Sequence, residues 1–240
     1  MERVIFNTVS KIKDRIFEIR RRISNICSKI NRDPASITIV AISKGRTLEQ
    51  IKEVTEAGIS DIGENRVKEG VLKFTRYSVS DSSCSVKWHM VGHLQTNKVK
   101  QAVGIFDLIH SVDSLRLAIG IDKQAARINK IQDILLQIST SGETTKFGLK
   151  LKGCLEVIKK IAELKNLNIK GLMTIAPLFD APEKTRPYFK RLRELKDEIT
   201  RYSILPTPYS ILSMGMTDDF EVAVEEGADM LRLGRAIFEG

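Results

Sequence analysis

Lys44 follows directly on an apolar, β-branched run, ITIVAIS at 37–43. An amine delivered to the end of a buried strand is partly desolvated, which favours Schiff-base formation with an aldehyde. The same place also suits a lysine that simply reaches solvent. Two later strand-like runs end in Ser213-Met214-Gly215-Met216-Thr217 and Arg232-Leu233-Gly234-Arg235-Ala236. Glycines at such ends let backbone N–H groups approach phosphate oxygens, Ser213 adds a hydroxyl donor, and Arg235 adds charge. Ordinary turns would account for the glycines, and less well for a serine and two arginines at adjacent strand ends.

Other residues have two readings. Asn65, after Gly63-Glu64, can hydrogen-bond a polar ring substituent or cap a helix. Met173, in Gly171-Leu172-Met173-Thr174, can pack on a ligand face or belong to the core. Asp218 and Glu221 are spaced as a capping box, which argues against a catalytic carboxylate pair at Asp218 and Asp219. His89, His93 and His110 are the three histidines. They lack the zinc-protease arrangement, no nucleophile elbow accompanies them, and no metal site is expected. Cys27, Cys84 and Cys154 lie far apart, so neither a disulfide framework nor a zinc site is indicated.

The elements that must position these groups follow from periodicity. Ile5, Val9, Ile12, Ile16, Ile19, Ile23, Ile26 and Ile30 make one helical stripe, ended by Asn31, Asp33 and Pro34. Eight strand candidates follow, at 37–43, 59–63, 86–91, 105–110, 133–139, 168–174, 209–213 and 228–233. Helical stretches lie between them, near 47–57, 65–77, 95–103, 113–129, 152–165, 183–201 and 218–226. Such alternation favours a closed parallel (β/α)8 barrel, a TIM barrel with an extra N-terminal helix. A doubly wound sheet would want a glycine fingerprint after its first strand, where Ser43-Lys44-Gly45-Arg46 stands. The polar stretch 78–85 reads as a loop, and residues 1–240 read as one domain.

A net charge of +9 could draw nucleic acid or steer an anionic small molecule. The basic residues are spread along the chain apart from Arg20, Arg21 and Arg22, and aromatics are only 6%, which is poor material for a base-stacking surface. No apolar run reaches the ~20 residues of a membrane span. With no secretory pattern at the N-terminus, the expected location is cytoplasmic and reducing.

The ordered blocks Ala41-Ile42-Ser43-Lys44, Gly63-Glu64-Asn65, Trp88-His89 and Gly92-His93-Leu94-Gln95-Thr96-Asn97-Lys98 resemble the pyridoxal phosphate homeostasis protein family. This family is also known as the proline-synthetase co-transcribed homologues. Lys146-Phe147-Gly148, Gly171–Ile175, Leu212–Asp219 and Arg232–Phe238 continue the match over nearly the whole chain. The resemblance implies a fold-type III barrel, similar to the N-terminal domain of alanine racemase. It implies pyridoxal 5′-phosphate held as an internal aldimine on Lys44. Ser213, the backbone around Gly215 and Met216, and the Gly234-Arg235 turn would take the phosphate, and Arg232 would face the pyridine nitrogen. Many members carry Thr or Ser where this chain has Arg235.

The implied role is vitamin B6 cofactor homeostasis without catalysis, with pyridoxal-phosphate-dependent apoenzymes as partners and neither nucleic acid nor membrane. The alternative is a pyridoxal-phosphate-dependent racemase or lyase.

Overall fold

In the computed structural model of the protein, the described residues are 11–80, 85–143, 147–202 and 211–239. In chain order they form α1 (Lys11–Lys29), β1 (Thr38–Ile42), α2 (Leu48–Glu56), β2 (Asp61–Glu64), α3 (Val67–Ser80), β3 (Lys87–Met90), α4 (Val99–Ile105), β4 (Leu108–Val112) and α5 (Leu115–Arg127). They continue as β5 (Gln132–Ser139), β6 (Leu149–Lys150), α6 (Cys154–Ala162), β7 (Leu167–Met173), α7 (Arg186–Arg201), β8 (Ile211–Ser213), α8 (Phe220–Glu225), β9 (Met230–Leu233) and α9 (Arg235–Phe238).

The strands are parallel in the order β4-β3-β2-β1-β9-β8-β7-β5, and pairing of β4 with β5 closes the ring. β6 stands outside it, a two-residue strand on the end of β5. Eight strands leave an interior just wide enough for side chains to fill. Successive strand residues point to opposite faces, so two cores result. Val40, Leu108, Leu135, Met173 and Met230 pack together inside the barrel. Their strand neighbours, among them Ala41, Ile109, Ile134, Leu172 and Leu231, pack outward with the helices.

The isoleucine stripe explains α1. Ile12, Ile16, Ile19, Ile23 and Ile26 are buried, each burial stabilising by about 1.5–3 kcal/mol. The helix lies against α2, α8 and α9, and Asn31 leaves it at φ 52°. Ile5 and Val9 lie outside the described residues, and Ile30 is exposed. Arg20, Arg21 and Arg22 each have a protein acceptor, on Gly58, Glu18 and Glu221 respectively. Arg20 and Arg22 thereby help dock α1, while Arg21 pairs within the helix on its exposed face.

Several boundaries differ from expectation. The strand expected at 105–110 is β4 at 108–112, because Ile105 ends α4 and Phe106 caps it. A short apolar run does not reveal its own period. The loop expected at 78–85 begins later, since α3 runs on to Ser80, and 81–84 lie outside the described residues. The expected capping box at Asp218 and Glu221 does not form. Asp219 is the N-cap of α8 and makes no side-chain cap. Asp218 pairs instead with Arg235, and Glu221 with Arg22 at 2.9 Å.

Candidate functional site

Five neighbouring strands, β2-β1-β9-β8-β7, bring the expected site residues to one arc at their C-terminal ends. Register fixes the arc: Ile42 pairs with Gly63, Ala41 with Leu233, and Met173 with Ser213. Asn65, Lys44, Gly234-Arg235, Gly215-Met216 and Met173 therefore follow one another around the rim. This is the face on which such barrels assemble their sites.

Lys44 sits in the turn after β1, closed by Arg46 N–H donating to the Ser43 carbonyl at 2.9 Å, with Gly45 at φ 69°. The turn is clamped from behind. Gly45 N–H donates to Glu69 Oε1 at 2.6 Å, and Lys73 Nζ donates to the Ser43 carbonyl. Lys73 also bridges Glu64 and Glu69, 2.7 Å from an oxygen of each, while the Ser43 hydroxyl donates to Glu64. Burial pushes the Glu64 carboxyl up against the opposing pull of Lys73 and Ser43, and its Oε2 has no partner among the described residues. The Lys44 side chain itself is exposed and pairs with no described residue. The partial desolvation expected of it is therefore not supplied by the folded protein; what the fold supplies is a fixed turn.

Beyond β8 and β9, among the described residues none accepts from the backbone N–H of Gly215, Gly234 or Arg235. Gly234 and Arg235 open α9, where unpaired N–H groups favour an anion. Gly215 must be glycine: it lies at φ 90°, and a Cβ there would meet Ala223 Cβ at 2.6 Å. The Met216 N–H donates to Asp219 Oδ1 at 2.6 Å, which leaves Gly215 as the N–H without an acceptor among the described residues in this turn. Arg235 is exposed, its guanidinium turned onto Asp218.

Ser213 and Arg232 point inward. Arg232 Nη1 donates to Ser213 Oγ at 2.7 Å and Nη2 to the Thr174 carbonyl at 2.8 Å, while Nε has no acceptor among the described residues. Burial pulls the Arg232 pKa down to about 10, against the attraction of Asp219, so the guanidinium stays charged at neutral pH. Met173 is fully buried in the interior cluster, whereas Asn65 is exposed at the head of α3 with its backbone against Gly92.

Three groups the sequence reading left aside complete this interior. Ser213 Oγ lies 3.0 Å from His110 Nδ1, His110 Nε2 lies 2.9 Å from His89 Nδ1, and His89 Nε2 lies 3.0 Å from Asp61 Oδ1. The available signal was strand alternation: His89 and His110 occupy inward positions between outward-facing Trp88 and Met90, and beside outward-facing Ile109. His93 is apart from this line, 3.2 Å from Asp113 and stacked on Phe147. No cluster of three or more metal-ligating side chains occurs among the described residues.

Comparison with known proteins agrees with this geometry. The alanine racemase N-terminal domain model matches residues 16–240. The pyridoxal phosphate homeostasis protein of Aquifex aeolicus is 40% identical over 225 residues, 94% of this chain and 96% of that protein. The chain belongs to this family. Among solved structures similar to this family member is PipY of Synechococcus elongatus PCC7942 with PLP bound. It is 31% identical with a TM-score of 0.81, over 95% of this chain and 100% of PipY. Alanine racemase of Clostridium difficile 630 shares the fold at 13% identity and a TM-score of 0.74, over 96% of this chain and 56% of the racemase.

Proposed function

We propose that this chain binds pyridoxal 5′-phosphate at the C-terminal rim, attached through Lys44, and serves intracellular vitamin B6 homeostasis without turning over a substrate. The observation that carries the reading is a lysine on a clamped turn, next to backbone N–H groups at strand ends; among the described residues, neither the lysine side chain nor those N–H groups have a partner. When bound, the cofactor supplies an aldehyde, a pyridine ring and a phosphate dianion.

The residues fit each part. Lys44 offers the amine. Gly215, Gly234 and Arg235 offer N–H groups to phosphate, with the Ser213 hydroxyl beneath them. Arg232, whose Nε has no acceptor among the described residues, would serve the ring nitrogen, and Met173 and Asn65 would flank the ring. A guanidinium gives up its proton poorly, so Arg232 leaves the ring a weaker electron sink than a carboxylate partner would. PipY with bound PLP and the name of the Aquifex aeolicus relative support the choice of cofactor.

Turnover is a separate matter. Two-base racemisation needs acid/base groups on both faces of the reacting carbon. Lys44 serves one face. Of the other acid/base candidates, His93 is held by Asp113 and Phe147, Lys98 is exposed at the end of a short turn, and Lys146 lies outside the described residues. We further read residues 1–240 as one cytoplasmic domain that hands its cofactor to apoenzymes. No helix of the described residues is long and apolar enough to cross a membrane.

The test is incubation of cofactor-loaded protein with L-amino acids in deuterated water, following chirality and α-deuteration. Binding without inversion is expected. Rapid, Lys44-dependent formation of D-amino acids would replace the carrier reading with an enzyme.

A further inference from the structure

Asp61, His89, His110, Ser213 and Arg232 form one hydrogen-bonded line through the inside of the barrel. Its far end is Asp61 on the wall of a cleft of about 460 Å³ at the N-terminal mouth, lined also by Arg20, Thr38 and Ser60. Its near end lies under the rim. Ser213 stands two residues before Gly215, and Arg232 two residues before Gly234, so the line stops beneath the unpaired N–H groups.

The chemistry of the groups fixes its direction. Arg232 can only donate, and an ionised Asp61 can only accept. Burial alone would raise the Asp61 carboxyl, but hydrogen bonds from His89 and Ser60 and the charge of Lys87 act to hold it below its usual range. His110 is fully enclosed, and burial first, then His89 and Arg232, push its pKa far down. With one proton on each imidazole, a single arrangement satisfies every contact. Arg232 donates to Ser213, Ser213 to His110 Nδ1, His110 Nε2–H to His89 Nδ1, and His89 Nε2–H to Asp61. The Ser213 hydroxyl proton is then turned away from the rim.

We propose that His110, backed by His89 and Asp61, is a positioning residue that decides whether Ser213 keeps its proton inside the barrel or offers it to a phosphate monoester at the rim. The proposal rests on the cofactor-binding reading above.

The shift balances with one proton. Ser213 passes its proton to His110 Nδ1 and takes one from an incoming phosphate monoanion. His110 passes its Nε2 proton to His89 Nδ1. The result is a Ser213 O–H that donates to a phosphate dianion, and a His89 imidazolium paired with the Asp61 carboxylate. Among the described charged residues, Lys87 on β3 acts on Asp61 and Arg232 on β9 acts on His110, while Asp133 on β5 is bonded to Asn168. Asp61 is the one within hydrogen-bond distance of the His89 ring.

Long-range 1H–15N spectra of 15N-histidine-labelled full-length protein read each tautomer directly, and the chain has only three histidines. In the free protein His89 and His110 are expected as Nε2–H forms. With pyridoxal phosphate, His110 is expected as the Nδ1–H form and His89 with both protons. In D61N, without the carboxylate charge, affinity for pyridoxal phosphate is expected to fall about tenfold or more, and to fall further than affinity for unphosphorylated pyridoxal. A visible cofactor band with an unchanged His110 tautomer overturns this proposal alone. So does an equal loss of both ligands in D61N. Absence of any cofactor band overturns the binding reading, and this proposal with it.

Discussion

Lys73 Nζ lies 2.7 Å from Glu64 Oε1, behind the turn that carries Lys44, and the same ammonium donates to the carbonyl of Ser43. Glu64 is wholly buried and the Lys73 side chain nearly so. Removing one member of a buried pair leaves an uncompensated charge, at a cost of about 3–5 kcal/mol. Thermal unfolding should therefore show Lys73→Met much less stable than the parent. Adding Glu64→Gln should recover part of the loss, because the amide needs no counter-ion. Equal stability of parent and Lys73→Met would show that the pair does not hold the turn.

Asp61 gives a pH signature of the opposite mouth. Its carboxyl is held below its usual range in the folded protein, burial opposing and the His89 hydrogen bond and charge prevailing. A carboxyl depressed on folding contributes stability that is complete above its unfolded pKa, about 3.9. That stability is lost as pH falls through the lower folded value. Melting temperature against pH should thus fall less steeply below about pH 4 in Asp61→Asn than in the parent. Parallel curves would contradict the assignment.

Arg235 tests how phosphate is held. Its side chain is exposed and paired with Asp218, and exposed pairs contribute about 0–1 kcal/mol. If the backbone N–H of Arg235 is the ligand, Arg235→Thr should change affinity for pyridoxal phosphate by less than about fivefold. Equilibrium titration of the visible band measures this. A loss of a hundredfold would assign the guanidinium itself to the phosphate.

Much of this was legible in the chain. The isoleucine stripe of α1 and the alternation of strand runs with helical stretches made the closed barrel legible, and the strand-end position of Lys44 followed from the apolar run before it. What was not legible depends on which strands become neighbours across the interior. His89 and His110 are 21 residues apart, and His110 and Ser213 are 103 apart. Pairing of β3 with β4 brings the two histidines together, and ring closure brings His110 across to Ser213. The Asp218–Glu221 spacing misled because a local capping pattern competes with tertiary partners. Arg235 and Arg22 take those two carboxylates, and local spacing says nothing of either. The clamp on the Lys44 turn was likewise hidden, since Lys73 and Glu69 come from α3 and look in sequence like an ordinary solvated i,i+4 pair.

The central claim is that Lys44 holds the cofactor covalently. The direct measurement is borohydride reduction of the protein loaded with pyridoxal phosphate, followed by peptide mapping, in the parent and in Lys44→Ala. Lys44 stands in an exposed turn away from both cores, so the variant should keep its fold and thermal stability. The parent is expected to show a visible band and a single modified lysine at position 44, and the folded variant neither. A variant that stays coloured, with label on another lysine, would contradict the account.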